Sequence, residues 1–126
     1  MEQKFFICEN CGNIYAEVKG GGAKVMCCGQ KMTQIEPNSS GASVEKHMPV
    51  YEVKDNIVTV TVGEVIHPMS EEHLIQWISI QTNKGNQRKV LSADGEPKAQ
   101  FVLLEGEEIE AVYEYCNLHG LWKAEK

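Results

Sequence analysis

The 126 residues suffice for one domain with a hydrophobic core, or for such a domain plus a small metal-clipped module. A hydrophobic fraction of 42% argues against disorder, and no apolar run approaches membrane-spanning length. The net charge is −6, and the 12 Lys and Arg are scattered among 18 acids without a basic cluster, so neither nucleic acid nor membrane is expected as a partner.

The first stretch, MEQKFFICENC, has no apolar h-region and no small-residue cleavage site, so the expected location is cytoplasmic, where thiols stay reduced. Four of the five cysteines lie in the first 28 residues and the fifth is Cys116, a pattern that favours metals over disulfides. Residues Lys4 to Ile7 read as a short strand. Cys8-Glu9-Asn10-Cys11-Gly12 follows as a CxxCG knuckle, in which the glycine lets the chain turn with its amides toward the sulfurs. Asn13 to Val18 reads as the next strand, Gly20-Gly21-Gly22 as a turn, and Lys24 to Met26 leads into Cys27-Cys28-Gly29. Fifteen residues separate Cys11 from Cys27. Four thiolates on two knuckles make a tetrahedral site able to hold together a module too small for a core of its own. The spacing is compatible with a zinc ribbon, with a mononuclear iron of the rubredoxin kind and, more weakly, with a vicinal disulfide.

Residues Pro37 to Ser43 are polar and small, with Pro and Gly, and read as a linker between a module at 1–36 and a domain filling the rest of 37–126. Beyond it the pattern is β throughout. Val50 to Lys54 and Ile57 to Val62 form a hairpin across Asp55-Asn56. Val58, Val60 and Val62 share one face, as in a half-buried strand. Further strands are expected at His73 to Thr82, Gln87 to Leu91, Ala99 to Leu104 and Ile109 to Tyr115. In the last, Ile109, Ala111, Tyr113 and Tyr115 line one face and Glu108, Glu110 and Glu114 the other. Ser70 is a weak N-cap signal for a turn of helix at Glu71 to His73. The expected fold class is mainly β: a small rubredoxin- or desulforedoxin-like module followed by an immunoglobulin-like antiparallel β-sandwich.

The chain's four histidines, His47, His67, His73 and His119, each sit at a break or at the start of an element, and His119 lies three residues after Cys116 in CNLHG. Cysteine and histidine are the side chains that best bind a late transition metal. Five such ligands exceed what zinc ordinarily takes. They fit an ion preferring six positions with one left for a small molecule, and a thiolate would push electron density toward whatever binds there. Iron is the expected ion. Glu45 and Lys46 directly precede His47; as an ordinary pair they are a solvated feature, but beside a ligand the lysine can draw in an anion and the carboxylate can reach the metal.

Taken together, CENCGN at Cys8 to Asn13, CCG at Cys27 to Gly29, EKHMPV at Glu45 to Val50, HPM at His67 to Met69, the run from His73 to Trp77, and CNLHGLWKAE at Cys116 to Glu125 resemble desulfoferrodoxin, the two-iron form of superoxide reductase. The resemblance covers essentially the whole chain, with its motifs in order. It implies a distorted rubredoxin-type iron held by Cys8, Cys11, Cys27 and Cys28. It also implies a second non-haem iron held by equatorial His47, His67, His73 and His119 with axial Cys116. The implied reaction is one-electron reduction of superoxide to hydrogen peroxide, with rubredoxin as electron donor and a homodimer as the assembly. Relatives often carry tryptophan after the third histidine; here it is Leu74, which alters packing and leaves every implied ligand in place. Two other readings compete: an electron-transfer protein whose second iron is closed to small molecules, and a zinc-ribbon binding module.

Overall fold

In a computed structural model, the chain divides into two compact units, Met1–Glu36 and Pro37–Lys126. The structure describes residues 2–41, 44–65 and 67–126. Ala42 and Ser43, within the expected linker, lie outside the described residues.

The first unit is built from very short strands. β1 (Phe5–Ile7) is the centre of an antiparallel sheet between β2 (Ile14–Ala16) and β5 (Thr33–Gln34), with Phe6 facing both Tyr15 and Gln34. β3 (Met26–Cys27) and β4 (Gln30–Lys31) form a separate two-rung hairpin. The knuckle after β1 is closed by backbone bonds from Gly12 N to Cys8 O (2.8 Å) and from Cys8 N to Asn13 O (2.9 Å). Gly12 has φ +81°, a conformation that glycine adopts without steric cost. Among the described residues, Phe5, Cys8 and Met32 are the buried apolar ones here, too few for an ordinary core.

Among the described residues, the second unit is a seven-stranded β-sandwich. A one-turn helix, α1 (Val44–His47), leads into β6 (Pro49–Lys54), which pairs with β7 (Ile57–Val62) as the hairpin pattern anticipates. Asp55 takes φ +58° at the two-residue turn, as such hairpins require. β10 (Lys98–Val102) adds to β7 from the other side, giving one sheet in the order β10-β7-β6. The second sheet has the order β12-β11-β8-β9, with β8 at Ile75–Thr82, β9 at Gly85–Val90, β11 at Ile109–Cys116 and β12 at Gly120–Glu125. Val58, Val60 and Val62 of β7, Phe101 of β10, Ile78 and Ile80 of β8, and Val112 and Cys116 of β11 form the core. Each fully buried side chain of this kind is worth roughly 1.5–3 kcal/mol before chain entropy is set against it.

Several sequence expectations change. β12 is absent from the expected strands, because Gly120 to Glu125 sets its two large apolar residues, Leu121 and Trp122, side by side and so lacks period-two alternation. Glu114 is fully buried instead of lining a solvent face, because it stands opposite Ile78 on the side of β11 that carries Val112 and Cys116, which is the side turned to the core. The strand expected from His73 starts only at Ile75. Ser70 forms its cap-like bond, accepting from His73 N at 3.1 Å, but the segment is a turn without helix. Asn38, in the expected linker, is tied to β12 by Asn38 N to Leu121 O (2.8 Å) and Lys123 N to Asn38 O (3.0 Å).

Candidate metal centres

The four thiols of the first unit gather at the tips of its two knuckles. The Sγ atoms of Cys8, Cys11, Cys27 and Cys28 lie within 4.8 Å of one another, with Cys11 to Cys27 at 3.6 Å and Cys27 to Cys28 at 4.0 Å. Tetrahedral thiolates at metal–sulfur distances near 2.3 Å stand about 3.8 Å apart, so the donor set fits one ion. Adjacent cysteines reach the cluster because Cys28 takes φ +54° and Gly29 +73°, which swings the second sulfur round to the first. Asn13 Nδ2 donates to the Cys27 sulfur at 3.8 Å. The Cys8 thiol is lowered to about 6, chiefly by the backbone amide of Cys11, while Cys27 is pushed up to about 12 by its hydrogen bonds to the Cys8 and Cys11 sulfurs. One thiolate thus forms readily and holds its neighbour's proton. A cation entering the cluster would displace the remaining protons.

The second cluster stands at one end of the sandwich. Antiparallel pairing puts the start of β6, the end of β7, the start of β8, the end of β11 and the start of β12 at that end. His47 closes α1 just before β6, His67 and His73 lie between β7 and β8, Cys116 ends β11 and His119 lies in the turn before β12. One ring nitrogen from each of His47, His67 and His73 and the sulfur of Cys116 come within 4.8 Å of one another. His47 Nε2 is 3.2 Å from His67 Nε2 and 3.1 Å from His119 Nδ1, and Cys116 Sγ is 3.7 Å from His119 Nδ1. Ligands at right angles around an ion with bonds near 2.1 Å are about 3.0 Å apart, so His47 has neighbours at the spacing of adjacent ligands. His119 is exposed and stands at the rim, touching the set through His47 and Cys116.

The protonation pattern suits a cation. The His67 ring keeps a proton on Nδ1 for the Pro68 carbonyl, at 2.6 Å, and presents Nε2 to the cluster. Burial lowers its pKa to about 4, with the neighbouring imidazoles adding to the effect. Burial, then His119 and Lys46, keep the His73 ring neutral as well. His73 Nε2 is buried without a hydrogen-bond partner, the condition of a ligand atom that a metal would satisfy. Burial pushes the Cys116 thiol up, the backbone amides of Leu118 and His119 oppose that, and Glu114 adds to it. Those amides, aimed at the sulfur by the turn, would stabilise a thiolate ligand.

Several surrounding groups carry no metal-site signal in the sequence. Trp122 stacks on His47 and donates Nε1–H to His119 O at 3.1 Å. Asn117 bonds to the segment around His73. Gly63, at φ +84°, lets the loop after β7 fold against α1, where Glu64 N and Val65 N both reach Glu45 O. Glu114 has no partner for either oxygen, and burial raises its pKa to about 9, so it is a neutral acid in the core. Alternation along β11 points instead to a solvated carboxylate. Glu45 and Lys46 are exposed on α1, directly before the buried His47.

A family model described as Desulfoferrodoxin matches residues 39–125, more than half of the chain. The chain belongs to the desulfoferrodoxin family. The desulfoferrodoxin of Syntrophotalea carbinolica is 45% identical over 118 residues, covering 94% of this chain and 92% of that protein. That of Nitratidesulfovibrio vulgaris is 39% identical over 124 residues, covering 98% and 97%. Among solved structures, the superoxide reductase from Treponema pallidum superposes with a TM-score of 0.83 at 35% identity, covering 98% of both chains. The four-cysteine cluster and the histidine–cysteine cluster match the two iron centres of desulfoferrodoxin.

Proposed function

We propose that this protein is a superoxide reductase. The carrying observation is the convergence of His47, His67, His73 and Cys116 at one end of the sandwich, with His119 Nδ1 beside them. The likeness to the Treponema pallidum superoxide reductase over nearly the full length of both chains supports the reading. In it, Cys8, Cys11, Cys27 and Cys28 hold one iron in a desulforedoxin-like module at 1–36. His47, His67, His73, His119 and Cys116 hold the second in the catalytic domain at 37–126. Ferrous iron in the second site would supply one electron to superoxide, which with two protons becomes hydrogen peroxide. A donor such as rubredoxin would restore the electron, and the expected assembly is a cytoplasmic homodimer.

The chain's own residues have three tasks. The His67 and His73 imidazoles, with their lowered pKa values, and the amides of Leu118 and His119 hold the cluster ready for a cation. Lys46 guides the anionic substrate. Residues 1–36 carry as many lysines as acids, so the whole formal charge of −6 belongs to 37–126 and opposes superoxide there. Glu45 would supply a carboxylate to an oxidised metal; it is exposed two residues before His47, on another side of α1, so its side chain would have to swing toward the site.

The test is pulse radiolysis of the iron-loaded protein. Lys46→Ala should slow the second-order step by about tenfold and flatten its salt dependence. Glu45→Ala should leave that step intact and change the oxidised spectrum. Wild-type rates at low salt for Lys46→Ala, with an unchanged oxidised spectrum for Glu45→Ala, would remove both residues from the reaction. Absence of superoxide-dependent oxidation in the parent would remove the function.

A further inference from the structure

Pairing between β8 and β11 ends at Ile75 and Cys116, after a register shift at Tyr115 and Cys116. The next residue, Asn117, leaves the strand, yet its backbone N still donates to Leu74 O at 3.3 Å. Its side chain then does what another rung of backbone would do. Asn117 Oδ1 accepts from Leu74 N at 3.0 Å, and Asn117 Nδ2 donates to Glu72 O at 2.9 Å. A primary amide carries the same acceptor and donor as a peptide group, so it can continue a ladder after the chain has turned away. The turn matters because it aims the Leu118 and His119 amides at the Cys116 sulfur, which a continuing strand would not allow.

The residue bracketed by these bonds is His73. Asn117 grips its two neighbours, Glu72 and Leu74, and Ser70 grips its own backbone through His73 N to Ser70 Oγ (3.1 Å) and Ser70 N to His73 O (3.0 Å). His73 has no regular element to hold it, since β8 begins only at Ile75. Its Nε2 lacks a hydrogen bond, so nothing on the ring's working atom orients it. We propose that Asn117 is a positioning residue that sets His73 against Cys116, making the two halves of the second metal centre one rigid unit. The proposal rests on the assignment of that centre under the proposed function, but concerns metal binding and not turnover.

A built-in control separates this role from ordinary turn stabilisation. Asn83 makes the same pair of bonds in another turn, donating Nδ2–H to Gly106 O at 3.0 Å and accepting from Glu108 N at 2.8 Å, and belongs to neither cluster. The experiment loads the full chain with cobalt(II), and follows binding at the second site by its visible spectrum. Asn117→Ala should weaken that binding by about 10–100-fold, the usual loss when an outer-shell partner is removed, and shift the thiolate-to-cobalt band. Asn83→Ala should lower stability by a similar amount and leave both readouts at parental values. Asn117→Ser retains a turn-compatible polar side chain that cannot span both groups, and reads the same loss should the alanine variant fold poorly. Parental cobalt affinity and spectrum in the Asn117 variants, or an equal loss in Asn83→Ala, would overturn the assignment. A protein that binds cobalt as expected but does not react with superoxide would instead refute the proposed reaction and leave the role of Asn117 standing.

Discussion

The indole of Trp122 lies flat on the imidazole of His47, with 5.1 Å between ring centres and 16° between planes. The same indole donates to the His119 carbonyl, so one buried side chain touches the two segments that bring His47 and His119 together. Trp122→Phe keeps a ring on His47 and loses one hydrogen bond, which should cost about 1 kcal/mol in urea denaturation. Trp122→Ala opens a cavity, and should cost about 3–5 kcal/mol and weaken colour from the second centre. An alanine variant with the parental urea midpoint and spectrum would mean that the stack supports nothing.

Cys116→Ser should abolish superoxide reduction and spare the colour of the four-cysteine centre. The sulfur is the only thiol in the second cluster, and a serine oxygen is a harder, weaker donor to iron. Visible spectra and pulse radiolysis on the same sample decide it. Full activity in this variant would take Cys116 out of the site.

Cys11→Ser should remove the colour of the first centre while the sandwich keeps its unfolding transition and its reaction with superoxide. The first unit has few buried apolar residues and depends on its metal, whereas the second has its own core. Global unfolding of the variant would show that the two units form one cooperative block.

Gly63→Ala should destabilise the second unit by about 2 kcal/mol or more. The positive φ already disfavours a side chain. An added Cβ would also stand 2.6 Å from Lys46 O and collide with Val65 O, both backbone atoms that cannot step aside. Since this loop buttresses α1, the variant should also bind iron less tightly at the second centre. Parental stability by denaturant titration would count against this close approach.

Glu107 tests the pH dependence. Its pKa is lowered, first by the Thr82 hydroxyl at 2.6 Å and then by the Leu104 amide at 3.0 Å. A carboxylate with a depressed folded pKa contributes stability above its unfolded pKa, and that contribution is lost as pH falls through the folded value. Glu107→Gln should therefore be less stable than the parent at neutral pH, by an amount on the order of 0.5–1 kcal/mol after allowing for solvent screening. The difference should close in strong acid. A pH-independent difference between the two would mean that the charge plays no part.

Most of the donor set is legible in the sequence, because ligation depends on residue type. The CxxCG and CCG knuckles, the histidines beside breaks and the cysteine in CNLHG announce themselves by composition and spacing. The hairpin at Asp55-Asn56 is equally local, since a two-residue turn dictates its own register and β7 alternates cleanly between faces. The sequence by itself therefore determined which atoms could bind a metal and where the chain must reverse.

Only the tertiary structure decided which of those atoms meet. His47 and His119 are 72 residues apart and lie 3.1 Å from each other because two sheets end at the same rim. Alternation could not place Glu114, because it separates the two faces of β11 without saying which one meets the other sheet, and the face of Val112, Glu114 and Cys116 is the one turned to the core. Nor could it reveal Asn117, whose side chain substitutes for backbone only where β8 and β11 part company. Period-two patterning reports which residues share a face. Whether that face meets water, a metal or another strand depends on pairings between distant segments, which no local pattern contains.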